Sequence, residues 1–166
     1  KWIVAYGDQY TQSSYYVASV ADEVLLNPYG TVDWHGLSAQ PMFYKDLLAK
    51  VGVKMQIVKV GKFKSATEVF TEDQMSDANR LQTSKYLTGI WNSIVGDVAP
   101  SRKIPVAKLN EYADSLVTFD DPKSLVEKKL VDKLLYTDEV KKNIKKRLGL
   151  DDDEVVNQMS VIDMVN

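Results

Sequence analysis

The sequence predicts an α/β fold with β-α units in the first half and helices in the second half. Short apolar runs alternate with helical segments up to about residue 60, which is the order that parallel β-α units produce. After residue 77 the apolar residues recur at helical spacing. The chain has 166 residues, 45% of them apolar and 27% charged, which suits one main globular domain with a substantial core.

The first half is predicted from the period of its apolar residues and from its turn residues. The sequence Asn27-Pro28-Tyr29-Gly30 predicts a turn, because proline and glycine suit turn geometry. Gly52 is expected to end a helix. The predicted elements, in order, are a strand at 2–6, a helix at 15–21, a strand at 23–26, an extended segment at 31–34, a helix at 42–50 and a strand at 53–60.

The second half is predicted to be mostly helical. A long helix covers 77–98, and Pro100 and Pro105 bracket a break after it. A shorter helix follows at 107–116. The remaining expectations are a helix start at Asp121-Pro122 and a last helix that begins near Thr137 and ends at Gly149.

Composition excludes several classes of function. The net charge of −2 gives no reason to expect nucleic acid as a partner. The chain has no cysteine, which rules out disulfides, thiolate nucleophiles and cysteine-based metal sites. His35 is the single histidine, and it lacks partners at the spacing of a triad or a metal site. We interpret it as a surface or turn residue, and we predict no metal and no cofactor.

Both ends of the chain are apolar and resemble strands, at 2–6 and at 161–165. We therefore interpret the chain as a piece of a longer protein. Residues 1–150 would form the main domain, and residues 151–166 a linker or strand that leads into a further half. No apolar run reaches the ~18 residues that a membrane-spanning helix needs.

Lys64 is the residue whose position most clearly suits a catalytic role. It lies between the predicted strand at 53–60 and a helix that should begin near Ser65, because Ser65 and Glu68 have the spacing of a capping box. The positive end of a helix disfavours an ammonium, and burial disfavours it further. A lysine that is neutral near physiological pH can serve as a general base. The alternative is a solvated or ion-paired lysine, which is the commoner role.

The residues around Lys64 form a longer pattern, which consists of Gly61, Lys64, Ser65, Ala66, Glu68, Phe70 and the pair Met75-Ser76. This pattern resembles the lysine motif of the signal peptide peptidase A (protease IV) family. The similarity runs from about Tyr6 to about Leu148, and the chain departs from it at Val69, where the family often has proline. The resemblance implies a crotonase/Clp-protease-like fold and a serine peptidase with a Ser–Lys dyad.

The same resemblance does not supply a nucleophile. Aligning residues 15–19 with the aromatic residues after the family's Ala-Ser-Gly-Gly turn places Gln12 at the position of the serine. A glutamine amide cannot form an acyl-enzyme. We interpret the neighbouring hydroxyls of Thr11, Ser13 and Ser14 as helix caps. A retained lysine with a replaced serine resembles the N-terminal half of the long form of the family.

In that form the second half supplies the serine, so the resemblance implies that Lys64 is the general base of a split active site. It also implies hydrophobic remnant signal peptides as substrate, the missing C-terminal half as partner, and a homo-oligomer, a tetramer in the family. The full-length protein would be anchored in the bacterial inner membrane, with this domain on the extracytoplasmic side. This chain alone would be inactive.

Two alternatives remain open. In the first, the chain is a non-catalytic scaffold or oligomerisation domain, and Lys64 forms a salt bridge, for example with Glu68. In the second, it is an acyl-CoA enzyme of the wider crotonase fold. The absence of a glycine-rich oxyanion loop from the sequence disfavours the second alternative.

Overall fold

The first β-α-β unit that the sequence predicts is present in the structure, a computed structural model that describes residues 1–58 and 60–165. Strand β1 (Val4–Tyr10), helix α1 (Gln12–Ala18) and strand β2 (Glu23–Val32) follow one another. The two strands are parallel, with Val4 paired to Glu23. Strand β3 (Lys133–Leu134) pairs with the other edge of β2, also in parallel. The described residues thus form a mixed α/β structure with a small parallel sheet of order β1-β2-β3.

The chain divides into two units, each with its own internal contacts. We name Lys1–His35 together with Val98–Asn166 the sheet unit, and Gly36–Asp97 the lysine unit. The boundary between them falls inside helix α4 (Asp77–Arg102).

The core of the sheet unit packs around Tyr15 and Trp34, which are fully buried. Their rings meet edge to face, with centroids 5.6 Å apart. Each ring also has its polar atom satisfied, since the Tyr15 hydroxyl donates to the Leu130 carbonyl at 2.7 Å and the Trp34 indole N–H donates to the Leu109 carbonyl at 2.9 Å. Large aromatic residues can be buried at little cost under those conditions.

The turn predicted at Asn27-Pro28-Tyr29-Gly30 is wrong, because β2 continues through these residues. Their turn chemistry produces an irregularity inside the strand. The Tyr29 N–H donates to the Asn27 side-chain oxygen at 3.0 Å, and the pairing with β1 shifts between Gly7 and Gln9. A side chain at Gly30 would collide with the Asp8 carbonyl oxygen, so glycine permits the close approach of the two strands there.

The helices of the second half follow the sequence prediction closely. Asp121 caps α6 (Pro122–Glu127) by accepting the Lys123 N–H at 2.8 Å, as predicted. Gly149 ends α7 (Thr137–Leu148) in the left-handed conformation, also as predicted. The others are α5 (Val106–Asp114) and a 3-10 turn at Val117–Phe119. Helix α4 passes through Pro100 and ends at Arg102, four residues after the predicted end at Val98.

The predicted strand at 161–165 is wrong, because these residues form the short helix α8 (Val161–Val165). Ser160 begins this helix: its hydroxyl accepts the Asp163 N–H at 3.1 Å and donates to the Asp163 carboxylate at 2.6 Å. A local cap of this kind outweighs the strand preference of a β-branched run.

In the lysine unit, the predicted strand at 53–60 is wrong: residues 53–58 and 60 are in neither a helix nor a strand. A strand needs a neighbour for its backbone groups, and no described strand pairs with this segment. Helix α2 (Lys45–Lys50) lies before it, and Gly52 takes a positive φ of 74° after that helix. Helix α3 (Glu68–Thr71) lies after it, followed by α4.

Candidate active site

Lys64 lies on a turn that starts at Gly61. Gly61 has a φ of 105°, a conformation that strains any residue with a Cβ, so glycine is required there. The Lys64 N–H points to the Gly61 carbonyl at 3.4 Å, which closes the turn weakly. The turn leaves the Lys64 side chain exposed. The burial that would help to desolvate a catalytic base is therefore not present in this chain.

The Lys64 side chain lines an open groove of about 490 Å³ within the lysine unit. The described residues that line the groove combine one cationic group with a largely apolar wall and a few polar side chains. Its lining residues are Val58, Val60, Phe63, Lys64, Ser65, Ala66, Thr67 and Gln82. Val58 is 98% exposed and Phe63 is 52% exposed, so the apolar wall is accessible to a ligand. A groove of this composition can hold an apolar chain next to an amine.

The capping box predicted from Ser65 and Glu68 is wrong. Helix α3 begins at Glu68, three residues later than predicted, and its N-cap Thr67 makes no side-chain cap hydrogen bond. The Thr67 hydroxyl is buried and has no hydrogen-bond partner in the described part of the chain. Lys64 therefore precedes the first turn of the helix instead of lying directly at its mouth.

The sequence analysis did not predict the role that Glu68 has in the structure. It is 3% exposed, and its carboxylate accepts hydrogen bonds from three donors. These are the Ser76 hydroxyl at 2.8 Å, the Ser76 N–H at 3.2 Å and the Asn79 side-chain amide at 3.0 Å. The sequence signal was available, because Met75-Ser76 belongs to the same pattern as Lys64 and Ser76 precedes the long helix α4.

The salt bridge between Lys64 and Glu68 that the scaffold alternative suggested is not formed. The Glu68 carboxylate is directed to the start of α4 by the contacts above. Among the residues that the structure describes, Lys64 takes part in no ion pair. The Lys64 amine is therefore not held by a carboxylate among these residues.

Gln12 lies in the sheet unit, at the first position of α1 and two residues after the end of β1. Its side-chain oxygen accepts the His35 N–H at 3.1 Å. Thr11 is the N-cap, as predicted, and its hydroxyl accepts the Ser14 N–H at 3.2 Å. The same interpretation is wrong for Ser13 and Ser14, because both lie inside α1. Gln12 thus occupies a strand-to-helix turn, but it has no nucleophilic atom, and it lies in a different unit from Lys64.

Other catalytic arrangements have little support in the described residues. His35 is exposed, as predicted, and its Nε2 lies 3.2 Å from an Asp33 carboxylate oxygen that is itself partly exposed. Residues 1–58 and 60–165 contain no cluster of three or more His, Asp or Glu side chains arranged to hold a metal ion. Within the same residues, no helix is both long and apolar enough to cross a membrane.

Comparison with known proteins agrees with the pattern around Lys64. The profile of peptidase family S49 matches residues 1–151. The chain belongs to peptidase family S49. This confirms the resemblance to signal peptide peptidase A and protease IV, and the parallel α/β sheet is consistent with the ClpP/crotonase-like fold of S49 peptidases.

Curated relatives of this S49 chain are longer than the chain itself. Protease 4 of Salmonella typhi is 34% identical over 155 residues, which cover 90% of this chain and 25% of that protein. Protease 4 of Haemophilus influenzae is 41% identical over 104 residues, or 63% of this chain and 17% of the relative. The chloroplastic serine protease SPPA of Arabidopsis thaliana is 26% identical over 156 residues, or 93% and 22%. The chain spans a quarter or less of each.

Proposed function

We propose that this chain is the lysine-contributing part of a Ser–Lys serine endopeptidase. The observation that carries the proposal is the environment of Lys64, which is exposed, has no ion-pair partner among the described residues, and lines an accessible apolar groove. A general base must be able to lose its proton, and a lysine held by a carboxylate keeps it. Family membership supplies the reaction class, serine peptide hydrolysis.

In the proposed mechanism, the neutral Lys64 Nζ removes the proton from the hydroxyl of a serine that a further segment of the protein supplies. The serine oxygen attacks the scissile carbonyl, and the resulting intermediate collapses when the lysinium gives its proton to the leaving amine. Water then attacks the acyl-enzyme, with Lys64 as base again, and the peptide acid is released. Gln12 takes no part in these steps because its amide cannot carry an acyl group.

The open groove supports the choice of substrate class. Its apolar wall of Val58, Val60 and Phe63 suits an extended hydrophobic peptide, such as the remnant of a cleaved signal peptide. We propose that the serine-bearing segment completes the groove and excludes water from Lys64. The full-length protein would be a homo-oligomer, a tetramer by family resemblance, anchored at the cell envelope membrane.

The test uses the full-length protein with a hydrophobic fluorogenic peptide. Lys64→Ala should lower kcat at least about 100-fold, the contribution expected of a general base. Lys64→Arg should be no better, since a guanidinium stays protonated at any working pH. Lys62→Ala is the matched control: Lys62 is exposed two residues away and does not line the groove, so its loss should change kcat little.

If Lys64→Arg keeps most of the activity, the general-base role is wrong, and the scaffold alternative becomes the better account. A second measurement concerns the chain by itself. Incubated with casein or with the same peptide, it should show no cleavage above buffer. Labelling of Thr11, Ser13 or Ser14 by a fluorophosphonate would contradict the split active site.

A further inference from the structure

We infer that Glu68 is a positioning residue that fixes the Lys64 turn to the start of α4. The inference rests on the proposed function, because positioning matters only if Lys64 is the base. Among the residues that the structure describes, the only hydrogen bond of Lys64 is the weak one to the Gly61 carbonyl. The rigidity required of a catalytic base must therefore come from neighbouring residues.

The first step of the argument is the link between Glu68 and the turn. The Glu68 N–H donates to the Ser65 carbonyl at 3.0 Å, so the backbone directly after Lys64 is tied to Glu68. Glu68 is also the first residue of α3, and its own carbonyl accepts the Glu72 N–H at 2.8 Å. Movement of the Glu68 backbone would thus be transmitted to the Ser65–Ala66 peptide, which directly follows Lys64 in the turn.

The second step is the link between Glu68 and α4. The Ser76 hydroxyl accepts the Asn79 N–H at 3.2 Å, and the Ser76 carbonyl accepts the Arg80 N–H at 2.8 Å, which makes Ser76 the cap of this 26-residue helix. The same hydroxyl donates a hydrogen bond to the Glu68 carboxylate. A negative charge is also favoured at the positive end of a helix. Glu68 therefore completes the cap of α4.

The third step concerns the groove. Gln82 lies in α4, six residues after Ser76, and lines the same groove as Lys64. One wall thus comes from the turn and another from the helix. The Glu68 carboxylate joins the two through Ser76 and Asn79. The distance between the Lys64 amine and the helix wall depends on this buried carboxylate.

A carboxylate suits this position better than an amide of the same size. The three described groups that meet it, named above, are donors, and a carboxylate has acceptor sites only. In Glu68→Gln, the new NH₂ group faces donors and at least one of the three hydrogen bonds is lost. Glu72→Gln is the matched control, because Glu72 is an exposed glutamate one helical turn later.

The experiment measures kcat and KM of the full-length enzyme with a hydrophobic fluorogenic peptide, normalised to active sites by fluorophosphonate titration. Glu68→Gln and Ser76→Ala should each lower kcat by about tenfold or more with little change in KM, because a misplaced base slows the chemical step rather than binding. Ser76→Thr keeps the hydroxyl and should restore kcat. The double variant should be little worse than either single one, since both break the same link. Glu72→Gln should match the wild type.

A second readout follows Lys64 directly. Trace acylation of the full-length enzyme gives the reactivity of Lys64 relative to Lys62, and Glu68→Gln should change this ratio while Glu72→Gln leaves it unchanged. If Glu68→Gln keeps its kcat per active site while Lys64→Ala abolishes turnover, the inference is overturned and the proposed function stands. If Lys64→Ala keeps its activity, the proposed function fails and the inference fails with it. If Glu68→Gln does not fold, Ser76→Ala decides: an unchanged kcat per active site overturns the inference.

Discussion

The sheet unit buries apolar side chains completely, including Tyr15, Leu25 and Trp34, whereas the buried residues in the described part of the lysine unit are Glu68 and Val95. The two units therefore depend on different interactions. A buried aliphatic or aromatic side chain contributes about 1.5–3 kcal/mol, while a typical hydrogen bond contributes about 1 kcal/mol net. The comparison teaches that the segment with the proposed base is held by a few polar contacts, and that its apolar side chains stay available to a ligand.

The same valine substitution in each unit gives the largest expected contrast. Val24, in the central strand β2, is fully buried, whereas Val58 is 98% exposed in the groove. Val24→Ala should lower the free energy of unfolding by about 2–3 kcal/mol, because it removes buried methyl groups and leaves a cavity. Val58→Ala should change it by less than about 0.5 kcal/mol. Urea unfolding followed by circular dichroism measures both, and equal costs would refute the contrast.

Polar stabilisation also occurs in the sheet unit, at Glu23, and it should appear as a pH dependence. Burial raises the pKa of the Glu23 carboxyl, but hydrogen bonds and charges from Lys133, Asn143 and Arg147 outweigh that and bring the pKa below its usual value of 4.5. A carboxyl with a depressed pKa in the folded state stabilises the fold above the unfolded-state value, and this contribution is lost as the pH falls through the folded-state value.

The free energy of unfolding should therefore decrease as the pH drops below about 4.5, with a contribution from Glu23 of at most about 1.4 kcal/mol per pH unit. Glu23→Gln should show a shallower decrease over the same range. Urea titrations at several pH values between neutral and acidic test this. Identical slopes for Glu23→Gln and the wild type would show that Glu23 is not responsible.

A small stabilising effect is expected at Thr67 in the lysine unit. Its hydroxyl is buried and has no hydrogen-bond partner among the residues that the structure describes. Thr67→Val replaces the hydroxyl with a methyl group of similar shape and should raise the free energy of unfolding by about 1 kcal/mol, because an unsatisfied polar group no longer has to be buried. Thermal unfolding of the two chains is a sufficient measurement. A loss of stability would mean that the hydroxyl has a partner in solution.

Local sequence signals correctly predicted the features that depend only on residues close together in the chain. Thr11 and Asp121 cap helices as expected, because a short side-chain oxygen can reach nearby N–H groups without tertiary help. Gly52 and Gly149 adopt the left-handed conformation after helices for an equally local reason. The pattern around Lys64 was sufficient to identify the family. Membership of the family does not test the role of Lys64, which stays a proposal.

The errors arose where the outcome depends on residues distant in sequence. Alternation at 53–60 predicted a strand, but a strand requires a partner, and the described sheet provides none. Residues 27–30 form an irregular part of β2 instead of a turn, because the residues on both sides of them pair with β1. For Ser65 and Glu68, the spacing suited a capping box, yet the carboxylate meets better donors at the start of α4.

The sequence by itself determined the α/β class, the helix caps of the second half and the motif that identifies the S49 family, because each depends on local spacing or on residue chemistry. Only the tertiary structure decided which carboxylate partner each donor takes, which strand edges are paired and whether Lys64 is buried. These outcomes depend on competition among groups that are brought together by folding. The burial of Glu68 against Ser76 and Asn79, with Lys64 left exposed, is such an outcome, since three donors at α4 satisfy a carboxylate that sequence spacing had assigned to its own helix.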